Sequence, residues 1–439
     1  MTEENRIKDY MRHIIQDICE KIGPRPPCSP EEAKCAHYIE EELRKYTSKA
    51  RTEEFQCHPR SYRIQYQIPS ISMIIITIFY WLYFSFLHLA FLIIPLILLG
   101  CAMLVIQLNI MRNSEFIDPL FPAETSTNVV GIISPTGETR ARIVIGGHHD
   151  SNWEYPVLRK SWKLFGFLTA LPIISNYLFF GLFILKLILS AFSMPYLGIR
   201  EVDLTLLIIL TSLIPILLIW MFNIVSHRPV MGANDNLTAI ATILAIASYL
   251  KHAELRRTEV WLVSHGCEEI GDRGSKAFAK THYHDLKDAL VINLDMVGGQ
   301  DSMLRFVTTE LMFMFKLSPR LVNELVKIAE ELQIPYHTGL VEGFTDSLAY
   351  IQNKIEACSI TGFPKKGIPA HYHTREDTME HLNFENLWHC YRILLRFIER
   401  LIRAKFHQIK SSRTGEAPFY SGYRNADFIC YDYIKEDKR

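Results

Sequence analysis

The feature that most constrains the fold is a set of long segments that contain no charged side chain. Residues 64–111 form a run of 48 residues without Asp, Glu, Lys or Arg, and residues 164–185 and 204–227 form similar runs of 22 and 24 residues. A helix that crosses the hydrocarbon core of a bilayer needs about 20 mostly apolar residues. The first run is therefore long enough for two membrane spans, and the other two are long enough for one span each.

These segments predict four transmembrane helices in two hairpins, at 67–112 and 163–227. The flanking segments, 1–66, 113–162 and 228–408, have the composition of a soluble protein, and a polar and aromatic C-terminal tail follows at 409–439. If the three flanking segments build one domain, each insertion must return to the side of the membrane that it left. Each insertion must then cross an even number of times, which favours two hairpins over any odd number of spans.

The orientation of such a protein follows the Lys and Arg residues near the spans, which accumulate on the cytoplasmic side. Lys186 and Arg200 are the basic residues of the loops that face away from the soluble domain. On the domain side the basic residues near the spans are Arg60, Arg63, Arg112, Arg159, Lys160, Lys163 and Arg228. This asymmetry predicts an integral, multi-pass membrane protein with its soluble domain in the cytoplasm. The alternative is that some of these basic residues serve the folded domain instead.

The overall composition excludes several classes of protein. The chain has 47 basic and 47 acidic residues, a balance that argues against a general nucleic-acid binder. Its N-terminus is charged and has no apolar core segment, so we expect no cleaved signal peptide. The nine cysteines are odd in number and have no CxxC spacing, which favours buried thiols over a disulfide framework.

The soluble part has the pattern of an α/β protein. Short apolar runs that end in Gly, His or Asp predict buried strands at 141–147, 259–265 and 289–295. Helical patterns occur at 7–22, 236–251, 318–332 and 383–405, and Ser29-Pro30 has the form of a helix start. Alternating strands and helices predict a mostly parallel sheet that is covered on both faces.

Acidic residues and histidines form five clusters at strand ends or in loops, and three of these clusters directly follow a predicted strand. The candidate site residues in them are His148, Asp150, Asp235, Glu268, Glu269, Asp295 and His373. Sites of open α/β sheets form beyond the carboxyl ends of the strands. Two imidazoles and three carboxylates suit a pair of zinc-like ions about 3.5–4 Å apart, with one carboxylate bridging them. A further carboxylate would then accept the proton of a metal-activated water.

The motifs in which these residues occur resemble those of the M28 metallopeptidases, a family of two-zinc aminopeptidases. They are ICEKIGPRPP (18–27), HHDS (148–151), GANDN (232–236), CEEIGDRGS (267–275), NLDMVG (293–298) and HTREDT (373–378). The resemblance implies a three-layer α/β/α sandwich with a mostly parallel mixed sheet. The segments 1–66, 113–162 and 228–408 would form the peptidase domain, into which the two α-hairpins are inserted.

The resemblance also implies a role for each site residue. His148 and Asp295 would hold one zinc ion, Glu269 and His373 would hold the other, and Asp235 would bridge the two. Asp150 would fix the ring of His148, and Glu268 would act as the general base.

The sequence departs from the family pattern at two positions. Asn234 stands where many members have Asp, and Cys28 stands where Gly is common. His371 is an alternative to His373, although the HTREDT context favours His373. Ligand type alone leaves zinc, cobalt and manganese open.

The resulting expectation is a membrane-anchored, zinc-dependent aminopeptidase with two zinc ions. Its partners would be the lipid bilayer and peptides that have a free N-terminus, with no nucleic acid. Two alternatives stay open. HHDSNWEYP (148–156) has a loose likeness to the single-zinc glutaminyl cyclase-like transferases, and some proteins of this fold class are non-catalytic membrane scaffolds.

Overall fold

The computed structural model describes residues 2–86, 90–191, 199–223, 225–311 and 314–403. The predicted C-terminal tail, 409–439, lies outside these residues. The strands of the described part are β1 (Ala50–Cys57), β2 (Glu124–Ile133), β3 (Ala141–His148), β4 (Thr258–His265), β5 (Leu290–Asp295), β6 (Met303–Glu310), β7 (Phe315–Lys316), β8 (Tyr336–Leu340) and β9 (Glu356–Phe363). Its α-helices are α1 (Glu3–Lys21), α2 (Pro30–Arg44), α3 (Pro59–Phe86), α4 (Ala90–Val105), α5 (Pro156–Lys160), α6 (Trp162–Ala191), α7 (Ile199–Asn223), α8 (Thr238–Leu250), α9 (Arg273–Thr281), α10 (Tyr283–Leu286), α11 (Pro319–Glu331), α12 (Ser347–Gln352) and α13 (Phe384–Arg403).

The strands form one mixed sheet in the order β1-β2-β4-β3-β5-β9-β6-β7, with β8 beside β6. The four central strands, β4, β3, β5 and β9, run parallel to one another. Strands β1 and β2 pair antiparallel at one edge, and β6 pairs antiparallel with β9 towards the other. The predicted mixed sheet is confirmed, and its parallel pairing is concentrated in the centre.

Helices cover both faces of this sheet because successive side chains of a strand point to opposite faces. Ile143 and Ile145 of β3 belong to the larger core, which also contains the buried faces of α1, α2, α8, α11 and α13. Val144, between them, belongs to the smaller core with Phe278 of α9 and Tyr350 of α12. The predicted three-layer α/β/α sandwich is confirmed.

The elements predicted from sequence patterns lie close to their observed bounds. Strands β3, β4 and β5 match the three predicted strands within one residue at each end. The Ser29 hydroxyl accepts a hydrogen bond from the Glu32 amide at 3.1 Å, and Pro30 is the first residue of α2. The predicted helix start at Ser29-Pro30 is therefore confirmed.

Four helices of the described residues are long and apolar enough to cross a membrane. They span Pro59–Phe86 (28 residues), Ala90–Ile110 (21), Trp162–Leu189 (28) and Arg200–Asn223 (24). They pack on one another through a separate apolar cluster. Each helix contributes to this cluster, for example through Tyr80, Leu99, Phe183 and Leu210. Helix α3 begins at Pro59, so residues 59–66 belong to the same helix as the apolar segment that follows them.

Candidate metal centre

The predicted site residues meet at one edge of the sheet. His148 is the last residue of β3 and Asp295 is the last residue of β5. Glu268 and Glu269 lie three and four residues after the end of β4. Since β4, β3 and β5 are parallel neighbours, their carboxyl ends bring these side chains to the same place. Asp235 and His373 reach this place from the loops that precede α8 and follow β9.

Asp235 lies between the two histidines. Its Oδ1 is 3.2 Å from His148 Nε2, and its Oδ2 is 3.2 Å from His373 Nε2. Asp295 Oδ1 lies 3.7 Å from His148 Nε2, and Glu269 Oε2 lies 3.2 Å from His373 Nε2. The five predicted ligands thus form two groups of three, which share Asp235 and have their ligand atoms within 4.8 Å of one another.

The position of Asp235 depends on an irregular turn, Ala233–Leu237, that begins after Gly232. Gly232 has φ +63°, and a Cβ at this position would lie 2.5 Å from the backbone oxygen of Asp235. The Asp377 carboxylate accepts hydrogen bonds from the amides of Asn234 and Asp235 at 2.7 and 3.1 Å. A residue with a side chain would not fit at 232, and Asp377 holds the backbone of Asp235 in place.

Asn234, which departs from the family pattern, does not point into this cluster. Its Oδ1 accepts a hydrogen bond from the amide of Gly298 at 3.0 Å. Asn236 has a similar role, because its Nδ2 donates to the Leu294 oxygen at 2.9 Å. The two amide side chains bind the turn of Asp235 to the end of β5, so the departure at Asn234 leaves the ligand set unchanged.

Asp150 lies behind His148 and is fully buried. Its Oδ1 is 3.3 Å from His148 Nδ1, the ring nitrogen that faces away from Asp235. The same carboxylate accepts hydrogen bonds from the amides of Glu268 and Glu269 at 3.1 and 3.0 Å. Asp150 therefore orients the ring of His148 and the turn that presents both glutamates.

Replacing Asp150 by Asn should lower the affinity for zinc by about 10–100-fold, because the neutral amide is a weaker partner for the His148 imidazole, which is predicted to bind metal. The measurement is zinc retention against a chelator of known affinity. Asp9→Asn, at an exposed position of α1, is the matched control and should retain zinc like the wild type. Unchanged zinc retention in Asp150→Asn would show that Asp150 does not support the metal ligands.

The site contains more buried carboxylates than positively charged groups among the described residues. Burial raises the pKa of Glu268 well above its usual value, and burial and Asp235 raise the pKa of Glu269 to about 7. Burial alone lowers the pKa of His373, yet Glu269 and Asp235 raise it to about 10. The acidic groups therefore favour any positive charge placed among them.

The donor set fits divalent cations such as zinc. Among the described residues, no donor makes a hydrogen bond to Glu269 Oε1 or Asp295 Oδ1, although both oxygens are buried. A buried carboxylate oxygen without a partner costs free energy. Zinc binds histidine nitrogen and carboxylate oxygen, which are the atoms that converge here. The residues present therefore match the metal chemistry that the sequence motifs imply.

Three residues that the sequence analysis did not select complete the group around His373. Asn152 Nδ2 lies 3.2 Å from His373 Nε2 and donates a hydrogen bond to Glu269 Oε2. The rings of Tyr372 and Tyr155 stack on the imidazole, with centroids 3.7 and 4.8 Å away. Asn152 and Tyr155 belong to the stretch that begins at the first predicted ligand, but loop residues have no periodicity from which their direction could be predicted.

The alternative ligand His371 lies apart from the cluster. Its ring contacts the ring of His381, with centroids 4.0 Å apart. His149, the neighbour of His148, hydrogen-bonds through Nδ1 to Ser264 at 2.8 Å. The structure therefore brings His373 rather than His371 to the other ligands.

A comparison with sequence families gives a match in this part of the chain. The sequence model described as Peptidase family M28 matches residues 222–398, which include Asp235, Glu268, Glu269, Asp295 and His373. This part of the chain is similar to peptidase family M28. The predicted resemblance to this family is therefore confirmed.

Among curated proteins, this protein is similar to the vacuolar membrane protease of Candida tropicalis. The two sequences are 25% identical over 167 residues, which are 36% of this chain and 17% of the yeast protein. The chain thus matches about a sixth of the length of that relative.

Solved structures with the same fold include enzymes of two kinds. The aminopeptidase from Aneurinibacillus sp. strain AM-1 has a TM-score of 0.51 and 15% identity, over 90% of this chain and 93% of that chain. The zinc-dependent exopeptidase of Parabacteroides distasonis has a TM-score of 0.53 and 14% identity, over 89% and 97%. The glutaminyl cyclase of Bacteroides thetaiotaomicron has a TM-score of 0.52 and 14% identity, over 91% and 98%. At these identities the likeness establishes the fold.

Proposed function

We propose that this protein is an integral membrane, zinc-dependent aminopeptidase that removes N-terminal residues from peptides. The observation that carries the proposal is the Asp235 carboxylate, whose two oxygens each lie 3.2 Å from a different histidine. A carboxylate placed in this way can be shared by two cations, whereas a single-zinc site needs no shared ligand. The geometry therefore favours the two-zinc peptidase over the cyclase-like alternative.

In this proposal His148 and Asp295 would hold one zinc ion, Glu269 and His373 would hold the other, and Asp235 would contact both. When bound, the two ions would activate a water molecule and polarise the peptide carbonyl. The contacts of Asp150 and Asn152 with these ligands limit their movement. A preorganised ligand set of this kind suits catalysis because little rearrangement is needed when substrate binds.

Glu268 would move the proton. Its Oε2 lies 3.7 Å from His148 Nε2, and its backbone is held by Asp150. Glu268 would accept a proton from the attacking water at a carboxylate oxygen as the water oxygen adds to the carbonyl carbon. It would then donate that proton to the leaving amine as the C–N bond breaks. Burial raises the pKa of Glu268, which helps the carboxyl to hold the proton between the two steps.

A cavity of about 540 Å³ lies beside Asn152 and Tyr155 of the metal centre. Volumes of roughly 300–1,000 Å³ are usual for ligand pockets. Its wall also includes residues from the first turns of α3, namely Arg60, Tyr62, Arg63 and Tyr66. Since α3 continues as an apolar helix, the cavity would open next to the membrane surface. This supports the proposal that the hairpins restrict access to peptides that reach this surface.

The proposal includes a multi-pass arrangement with the peptidase domain in the cytoplasm. Arg63 Nη1 lies 2.9 Å from His227 Nδ1, and Arg159 lies 2.6 Å from Glu376, so these two residues also serve the folded domain. On the opposite side Lys186 pairs with Asp203. The remaining basic residues near the spans still lie mainly on the domain side. This distribution supports the cytoplasmic orientation.

The aminopeptidase activity can be tested with aminoacyl substrates and their N-acetylated counterparts. The full chain in detergent, loaded with zinc, should cleave the free substrates at least about 100-fold faster, because a site built for a charged amine discriminates strongly against its absence. A Glu268→Gln preparation, purified in parallel, measures contaminating peptidase activity. Equal cleavage of blocked peptides would contradict the aminopeptidase assignment, and cyclisation of N-terminal glutamine without hydrolysis would favour the cyclase alternative.

A further inference from the structure

Three cysteine thiols converge outside the candidate metal centre. Cys28 Sγ lies 3.1 Å from Cys57 Sγ and 3.5 Å from Cys267 Sγ, and the last two sulfurs are 3.7 Å apart. Cys57 and Cys267 are buried and Cys28 is partly buried. All three are free thiols in the structure, and each contacts both of the others. We call this group the thiol cluster.

The thiol cluster joins three segments that are distant in sequence. Cys28 lies in the loop before α2, and Cys57 is the last residue of β1, two residues before α3 begins. Cys267 directly precedes Glu268 in the turn after β4. Cys28 and Cys267 have φ values of +62° and +53°, which are uncommon for residues with a side chain. Both turns therefore adopt an unfavourable backbone conformation at the residue that supplies a thiol.

A buried carboxylate ties the same segments together. Glu32 Oε2 accepts a hydrogen bond from the Cys28 amide at 2.7 Å, and Glu32 Oε1 accepts one from the Cys267 amide at 2.8 Å. Glu32 Oε1 also lies 3.3 Å from Cys267 Sγ. Glu32 thus fixes the backbone of two of the three thiols and places an oxygen atom beside the cluster.

We propose that Cys28, Cys57 and Cys267 form a separate metal site that binds one soft, thiophilic cation, such as Zn²⁺ or Cu⁺. A tetrahedral ion at about 2.3 Å from each sulfur separates the sulfurs by roughly 3.8 Å. The observed separations of 3.1–3.7 Å need only small movements to reach this value. Thiolates select soft metals, whereas the histidine and carboxylate ligands of the catalytic site do not.

The arrangement favours a shared cation over a disulfide. A disulfide would join two of the sulfurs at about 2.05 Å and leave the third thiol buried beside it. A cation uses all three sulfurs, and their protons are released to solvent as the thiolates bind. The bound ion would link the loop before α2, the end of β1 and the turn of Glu268. Its role would be to fix this turn, and it would take no part in the hydrolysis.

The test is a titration of the reduced full chain with Cd²⁺ under anaerobic conditions, followed by thiolate-to-cadmium absorption in the ultraviolet. The wild type should gain this absorption until one thiolate-bound ion is present per chain. The Cys28→Ser/Cys57→Ser variant should lose it. Cys101→Ser, at an exposed thiol of α4, is the matched control and should keep it. Asp235→Asn should also keep it, which separates this site from the proposed catalytic centre.

The wild-type titration does not depend on whether a variant folds. Absence of the absorption in reduced wild-type protein would overturn the proposal, as would its persistence in Cys28→Ser/Cys57→Ser. If the double variant does not fold, Cys28→Ser alone changes the least buried thiol and should lower the absorption by about one third, since one of three sulfur ligands is lost. Unchanged absorption in Cys28→Ser would contradict the three-thiol site.

Discussion

Replacing Glu268 by Gln should lower the rate of peptide hydrolysis by about 10²–10⁴-fold, the usual contribution of a general base. Glutamine keeps the shape of the side chain but has no basic carboxylate, so it cannot accept the proton of the attacking water. The change leaves His148, Asp235, Glu269, Asp295 and His373 intact, and we therefore expect zinc binding to be retained. The measurements are kcat on an aminoacyl substrate and the zinc content of the same preparation.

The matched control for this variant is Glu254→Gln, at an exposed position before β4. It makes the same chemical change away from the site and should hydrolyse substrate at the wild-type rate. A Glu268→Gln protein that binds zinc and hydrolyses peptides at the wild-type rate would show that the mechanism is wrong. A wild-type protein that binds zinc and hydrolyses no peptide would favour the non-catalytic scaffold.

Replacing Asp235 by Asn should reduce both metal content and activity, the latter by at least about 100-fold. Even residues that only support metal ligands change affinity by about 10–100-fold, and Asp235 is proposed to contact both ions directly. The side chain of Asn has only one oxygen, so it cannot present a carboxylate oxygen towards each histidine. We expect the wild type to hold two zinc ions at this centre, and the variant to lose at least one of them on dialysis.

Elemental analysis of zinc per chain measures this effect. The same analysis in a Cys28→Ser/Cys57→Ser background removes any ion bound at the thiol cluster from the count. Asp301→Asn, at an exposed position before β6, controls for the loss of one negative charge. One ion at the centre in the otherwise native protein, retained by Asp235→Asn, would favour the single-zinc cyclase-like alternative. Two ions in both proteins would remove the bridging role from Asp235.

The strand pattern of the sequence was sufficient to predict two of the candidate ligands, because the carboxyl ends of parallel strands lie at the same edge of a sheet. His148 and Asp295 end apolar runs, so their places at one edge follow from the strand pattern alone. Asp235 and His373 have no such pattern, and only the resemblance to a family predicted that they join the others. Their roles as ligands stay predictions until metal binding is measured.

Features that depend on long-range contacts were not predictable from one sequence. The first apolar helix begins at Pro59, before the uncharged run, because a helix can continue through Arg60 and Arg63 when their side chains reach solvent or the domain. Cys28, Cys57 and Cys267 have no metal-site spacing, and their meeting depends on how three distant segments pack. Asn152 lies in an irregular loop, where sequence does not specify side-chain direction.

The length of α3 has a consequence for how the proposed peptidase would sit on a membrane. At 1.5 Å per residue, its 28 residues extend about 42 Å, whereas the hydrocarbon layer is about 30 Å thick. If the apolar part fills that layer, about two helical turns protrude from it, and Tyr62 and Arg63 lie on these turns. One helix then joins the membrane-spanning segment to the wall of the cavity. A change in the tilt of this helix in the membrane would therefore move residues that line the cavity.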